Sequence, residues 1–124
     1  MTHAYDALRS RLREFVAERD WEQFHSAKNM AICLSVEANE LLEHYTWTQT
    51  GPGPKPPGTR EPEAAVVADE AADVFLCLLN FCAVTGIDLL HATDQKLSAL
   101  GKKYPAETAR GSALKGHQPK DEDA

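Results

Sequence analysis

The sequence has few of the residues that build covalent or sulfur-ligated frameworks. It contains three cysteines in 124 residues, and Cys33, Cys77 and Cys82 show no C-x-x-C spacing. An odd number of cysteines without paired spacing favours neither a disulfide scaffold nor a cysteine metal site. All three lie in apolar stretches, so we expect buried free thiols in a reducing cytoplasm.

Excess positive charge and long apolar runs are also missing. The chain has 13 basic and 19 acidic residues and a formal net charge of −6, so it lacks the basic character of a nucleic-acid module. The longest apolar run covers only residues 74–79, whereas a membrane span needs about 20 such residues. The N-terminus carries charges early and shows no apolar signal segment. We therefore expect a cytoplasmic protein without a nucleic-acid or membrane partner.

Strand-like alternation is absent as well, and helical periodicity takes its place. The sequence predicts four main helices, at residues 5–18, 27–45, 62–85 and 89–103. Pro62 suits a first helical position, Gly86 a left-handed cap, and Asp88 an N-cap. A Pro/Gly-rich loop at residues 48–61 divides the chain into two helical halves. The predicted fold is all-α: one small helical bundle over residues 1–115, with a disordered tail at 116–124.

The third predicted helix is apolar on nearly every side over residues 74–82. A helix of this kind is buried all round. A chain of 124 residues has little protein to cover it with, so we expect a second subunit to complete the bundle.

Acidic pairs occur on two consecutive predicted helices. Glu37 and Glu40 lie on the second helix, and Glu70 and Asp73 on the third. Three residues at about 100° each bring the two side chains of a pair within about 60° of each other. If the pairs face each other, four carboxylates share a small space, which would be strongly repulsive without a cation.

The donor atoms indicate which cation would bind. All four groups are carboxylates, and hard oxygen ligands favour Mg²⁺, with Mn²⁺ also possible. A di-iron bundle would need Glu-x-x-His, but His44 lies four residues after Glu40. The alternative at this point is that each acidic pair is only a solvated helix face.

A short sequence motif that contains a tryptophan and a phenylalanine precedes the acidic pairs. D-W-E-Q-F-H at residues 20–25 is followed by Asn29, the first acidic pair, Trp47 and the second acidic pair. Together with K-Y-P at 103–105 and R-G-S-A-L-K at 110–115, it resembles the MazG-like all-α nucleoside triphosphate pyrophosphatases, nearest to their dCTP pyrophosphatase branch. The resemblance covers residues 8–115.

This resemblance implies a function and a set of roles. The family hydrolyses nucleoside triphosphates to monophosphate and pyrophosphate with Mg²⁺, as a homodimer or homotetramer whose sites lie between subunits. The matching metal ligands would be Glu37, Glu40, Glu70 and Asp73. One of Glu37 and Glu40 would also orient the attacking water or take its proton.

The remaining candidate residues would bind the nucleotide. Trp21 and Trp47 would enclose the base, while His25 and Asn29 would hydrogen-bond its edge. Cations for the leaving pyrophosphate would come from Lys96, Lys103, Arg110 and Lys115. Two positions depart from the branch, with Cys77 where it has tyrosine and Leu100 where it has asparagine.

These departures leave the substrate open among related nucleotides. We expect dCTP or a 5-substituted dCTP analogue first, and dUTP, dTTP or another modified nucleotide second. Two other classes remain: a helical module that binds nucleotide without hydrolysing it, and a structural bundle without a nucleotide ligand.

Overall fold

A computed structural model describes residues 2–48 and 51–113, and these residues form helices without any strand. The α-helices are α1 (Thr2–Glu18), α2 (Ala27–Glu43), α3 (Ala64–Thr85), α4 (Leu89–Lys103) and α5 (Ala106–Ala109). A short 3-10 helix, Glu22–Phe24, lies between α1 and α2. The predicted all-α class with four main helices is confirmed.

Three predicted helix boundaries are wrong. The first helix begins at Thr2 and not at Tyr5. The second helix ends at Glu43 and not at Tyr45, because the chain turns after it and the Tyr45 amide bonds to the Leu42 carbonyl. Pro62 does not occupy the first position of the third helix. Glu63 has an extended backbone and caps α3, with its carbonyl accepting the Val67 amide at 3.0 Å.

The junction between α3 and α4 follows the prediction. Gly86 caps α3 in the left-handed region at φ 73°, a conformation that costs glycine little and other residues more. The Asp88 side chain accepts the His91 amide at 3.1 Å and so caps α4. Beyond α4, Pro105 precedes the short α5, which the sequence did not predict.

The chain divides into two compact units, Met1–Gly86 and Ile87–Ala124. In the first unit α2 packs along α3, and α1 makes a smaller contact with α3. The second unit contains α4 and α5. The expected single domain over residues 1–115 stays a prediction, and the expected tail at 116–124 lies outside the described residues.

The described residues bury few apolar side chains. The buried hydrophobic residues are Val16, Met30, Leu79 and Cys82. The prediction that all cysteines are buried is wrong for Cys33, which is exposed on α2, although all three are free thiols. No single helix in the described ranges has both the length and the apolar character to cross a bilayer.

Removing the cap of α4 should lower stability. Asp88→Ala leaves the His91 amide without its side-chain acceptor, so we expect a loss of about 1 kcal/mol and a melting temperature lower by about 4 °C. Thermal denaturation followed by circular dichroism measures this. Asp88→Asn, which can also cap, should melt near the wild type. Equal melting of Asp88→Ala and wild type would contradict this role.

Candidate metal centre

The packed pair of helices in the first unit places the acidic residues. Glu37 and Glu40 lie in the C-terminal half of α2, and Glu70 and Asp73 in the N-terminal half of α3. All four residues are half-buried. The apolar side of each helix packs against the other helix, so the acids on the flank of this contact are brought toward each other.

The four carboxylates form one cluster. One carboxylate oxygen from each of Glu37, Glu70 and Asp73 lies within 4.8 Å of the other two. Glu40 lies beside this cluster and interacts electrostatically with both Glu37 and Glu70. The structure therefore brings together the two acidic pairs that the sequence singles out, and the alternative of two separate solvated faces does not apply.

Crowding of the acids changes their protonation. Burial, a hydrogen bond with Glu40 and the charges of Glu40 and Glu37 raise the pKa of Glu70 to about 7. The pKa of Glu37 is also raised, first by its hydrogen bond with Glu40 and then by burial. Without a cation, the cluster therefore shares a proton up to neutral pH.

One oxygen of the cluster has no protein partner. Glu37 Oε2 is buried, and no donor in the described part of the chain hydrogen-bonds it. A buried polar atom without a partner is costly unless a ligand satisfies it. An all-oxygen donor set with an unsatisfied carboxylate oxygen fits a hard divalent cation such as Mg²⁺ or Mn²⁺.

Cys77, where the related branch has tyrosine, lies close to this cluster. Burial raises the pKa of the Cys77 thiol to about 11, with further contributions from Cys33, Glu37 and Asp73. The thiol therefore stays protonated at neutral pH, and a protonated thiol is a poor metal ligand. The donor atoms that the described residues gather within 4.8 Å of one another are all carboxylate oxygens.

The D-W-E-Q-F-H motif forms the connection between α1 and α2. Asp20 has a left-handed backbone with φ 53°, and its side chain accepts a hydrogen bond from Gln23 Nε2 at 3.0 Å. Trp21 packs edge-to-face on Phe15, with 5.7 Å between ring centroids. The indole remains 45% exposed, so one side of it is free to contact a ligand.

Three of the predicted nucleotide-binding residues line one groove. Trp21, His25 and Asn29 border an open groove with a volume of about 400 Å³. Asn29 Nδ2 donates to the Phe24 carbonyl at 3.0 Å, and the Asn29 backbone amide donates to Ser26 Oγ at 3.0 Å. The Asn29 side chain thus helps to hold the connection, and its carbonyl oxygen remains available as an acceptor.

The other predicted binding residues lie elsewhere. Trp47 lies in the turn after α2, is 68% exposed, and its carbonyl accepts the Arg60 amide at 2.8 Å. It does not line the groove of Trp21. The predicted phosphate-binding cations Lys96, Lys103 and Arg110 are exposed and belong to the second unit, and Lys115 lies outside the described residues.

A second cleft was not predicted from the sequence. It lies between α1 and α3, shares His25 with the first groove, and includes Asn80 of α3. The available signal was Asn80 itself, an amide within an otherwise apolar run. Its neighbours on α1 are distant in sequence, so periodicity alone could not reveal the cleft.

Comparisons with known proteins identify relatives with similar sequences. The chain is 40% identical to dCTP pyrophosphatase 1 of Mus musculus over 105 residues, which is 82% of this chain and 59% of that protein. The human protein of the same name is 40% identical over 103 residues, with the same coverage. The chain thus spans about three-fifths of the length of these curated relatives.

A solved structure covers the fold more completely. A pyrophosphatase from Archaeoglobus fulgidus DSM 4304 is 31% identical, with a TM-score of 0.66, over 83% of this chain and 93% of that one. No protein-family model matches the chain.

The raised pKa of Glu70 predicts a pH-dependent stability in the absence of metal. The pKa is 4.5 for an ordinary glutamate and about 7 in the fold, so the folded state binds the proton more tightly. The stabilisation from that proton is complete below pH 4.5 and is lost as the pH rises through 7. In EDTA, the melting temperature of wild type should fall further between pH 5 and pH 8 than that of Glu70→Gln, whose side chain cannot ionise.

The matched control for this prediction is Asp69→Asn, which removes an exposed acid next to Glu70. It should keep the wild-type slope of melting temperature against pH, measured by differential scanning fluorimetry. Identical slopes for wild type and Glu70→Gln would contradict the assigned protonation.

Proposed function

Because the chain belongs to the MazG-like family of all-α nucleoside triphosphate pyrophosphatases, we propose that it hydrolyses a deoxynucleoside triphosphate to its monophosphate and pyrophosphate. The observation that carries this proposal is the convergence of the acids on α2 and α3 with one buried oxygen unsatisfied. The names of the curated relatives support dCTP, or a 5-substituted analogue, as the substrate.

The acidic cluster would hold the cation that this reaction needs. Glu37, Glu40, Glu70 and Asp73 would be the ligands, with Mg²⁺ as the expected ion and Mn²⁺ as a substitute. When bound, the cation would neutralise the triphosphate, polarise the phosphoryl group and lower the pKa of water. Glu70 must give up its proton to act as a ligand, so binding should strengthen toward alkaline pH.

Side chains of the protein would accept the proton of the attacking water and stabilise the charge of the leaving group. Water attacks the α-phosphorus, and the bond from this phosphorus to the bridging oxygen breaks. Glu37 or Glu40 would take the proton of the water. The leaving pyrophosphate carries the negative charge away, and Lys96, Lys103 and Arg110 are the proposed groups that stabilise it.

The aromatic residues would hold the nucleoside. A partly exposed indole at Trp21 offers a face on which a base can stack, and His25 and Asn29 border the same groove. Trp47 is proposed to enclose the nucleoside in the assembled protein. This arrangement binds any flat base, so selection must come from hydrogen bonds at the base edge.

Self-association would complete the fold, as a homodimer or homotetramer. Both helices of the acidic site leave apolar side chains in solvent, with Ile32 51% and Val36 49% exposed on α2, and Phe75 39% exposed on α3. Exposed apolar side chains on neighbouring helices are typical of association surfaces. A second copy of the chain is the proposed partner.

The first functional test is hydrolysis of a panel of deoxynucleoside triphosphates. Wild type should release pyrophosphate fastest from dCTP and only with Mg²⁺ or Mn²⁺ present. Glu40→Gln removes one proposed ligand charge and should lower kcat/KM at least about 100-fold. A coupled assay with inorganic pyrophosphatase measures the rate.

Glu43→Gln is the matched control, because Glu43 is an exposed acid on the same helix and lies outside the cluster. It should retain wild-type activity. Equal rates for wild type and Glu40→Gln, or metal-independent rates, would refute the proposed hydrolysis. Nucleotide binding without any release would favour the non-catalytic module instead.

Light scattering after size exclusion tests the assembly. Wild type should elute with a mass of two or four times the 13.7 kDa of one chain. Phe75→Lys places a charge on the exposed apolar side of α3 and should shift the population toward the monomer, with circular dichroism checking that helicity persists. A monomeric wild type with full helicity would contradict the proposed association.

A further inference from the structure

One polar side chain interrupts the apolar part of α3. Asn80 is the only amide within the run of residues 74–82, and it is half-buried. No group in the described residues hydrogen-bonds its side chain, although an amide offers two donors and an acceptor. The nitrogen and oxygen of this side chain are not fully buried, so a ligand can reach them.

Asn80 opens into the cleft between α1 and α3. This cleft has a cavity volume of about 210 Å³, which is smaller than the roughly 300–1,000 Å³ of typical ligand pockets and suits a single ring rather than a whole nucleotide. Leu12, Val16 and Leu79 provide apolar walls, and the polar lining consists of Asn80, His25, the carboxylate of Glu22 and the guanidinium groups of Arg9 and Arg13. An apolar cleft with a few polar groups is suited to a flat, partly polar ring.

The cleft lies on the same helix as half of the acidic cluster. Asn80 follows Asp73 by seven residues, which is about 10 Å along the axis and within about 20° around it. A nucleotide whose phosphates lie at the acids could therefore extend along α3 and present its base to Asn80. His25 borders both this cleft and the Trp21 groove, so the two cavities are neighbours at that residue.

We propose that Asn80 hydrogen-bonds the edge of the substrate's nucleobase, and that Glu22 is the specificity-determining residue that sets which base the cleft accepts. This inference rests on the proposed function, since it concerns the base of the same substrate. Neither residue belongs to the metal centre or to the aromatic groove.

The chemistry of the two side chains favours an amino-bearing pyrimidine. The Asn80 amide can accept from the cytosine amino group and donate to the adjacent ring nitrogen. After a 180° turn it can equally serve uracil, so an amide alone does not discriminate. Glu22 can only accept when ionised, which suits the cytosine N4 amino group and repels the O4 oxygen of uracil.

Binding of the monophosphates dCMP and dUMP tests the inference without requiring turnover. Isothermal titration with Mg²⁺ present should show that wild type prefers dCMP. Asn80→Ala should weaken dCMP binding about tenfold. Glu22→Gln should bring the two affinities close to each other, because its side-chain amide can also donate to uracil O4.

Two further variants provide a second test and a control. Asn80→Asp keeps the size of the side chain but loses the donor, so it should also weaken dCMP binding if it folds like wild type. Asn39→Ala removes an exposed amide of α2 and should bind as wild type does. Undiminished dCMP binding by a folded Asn80 variant, or no binding of either monophosphate to wild type at millimolar concentration, would overturn the inference.

Hydrolysis separates this inference from the proposed function. Selective dCMP binding that depends on Asn80, without hydrolysis of any triphosphate, would refute the proposed activity and support the inference. Hydrolysis of dCTP with kcat/KM for dCTP unchanged in Asn80→Ala, or with kcat/KM for dCTP over dUTP unchanged in Glu22→Gln, would support the activity and refute the inference.

Discussion

Electrostatic repulsion among four carboxylates is the constraint on which the account of this protein depends. Packing of α2 along α3 brings carboxylate oxygens of Glu37, Glu70 and Asp73 within 4.8 Å of one another, with Glu40 beside the cluster. Such crowding opposes folding unless a proton or a cation offsets the charge. The protein shows the first solution in the raised pKa of Glu70, and the unsatisfied oxygen of Glu37 indicates the second.

This constraint links the fold to the proposed chemistry. A triphosphate cannot approach a cluster of carboxylates unless a cation lies between the two sets of negative charge. Residues that bind nucleoside are then needed at a distance set by the nucleotide itself. The groove at Trp21 and the cleft at Asn80 are the surfaces that we propose for this role, and the exposed apolar side chains on α2 and α3 form the surface that we propose a second copy covers.

Local signals in the sequence predicted the parts of the structure that local interactions determine. Gly86 and Asp88 mark the α3–α4 junction because cap geometry depends on a few neighbouring residues. The i, i+3 spacing predicted acids on common helix faces, and the packed helix pair makes them converge. By contrast, the exposure of Cys33 and the cleft at Asn80 depend on which helix faces remain uncovered, and periodicity does not reveal this. The end of α2 was also misplaced, because no glycine marks it.

Titration with Mn²⁺, followed by electron paramagnetic resonance, tests the central claim most directly because it detects bound metal without any substrate or turnover. At pH 8 the account predicts saturable uptake by wild type, strong loss of uptake in Glu37→Gln, and weaker uptake by wild type at pH 5.5, where Glu70 retains its proton. Equal uptake by wild type and Glu37→Gln, or no uptake by wild type at millimolar Mn²⁺, would contradict the account.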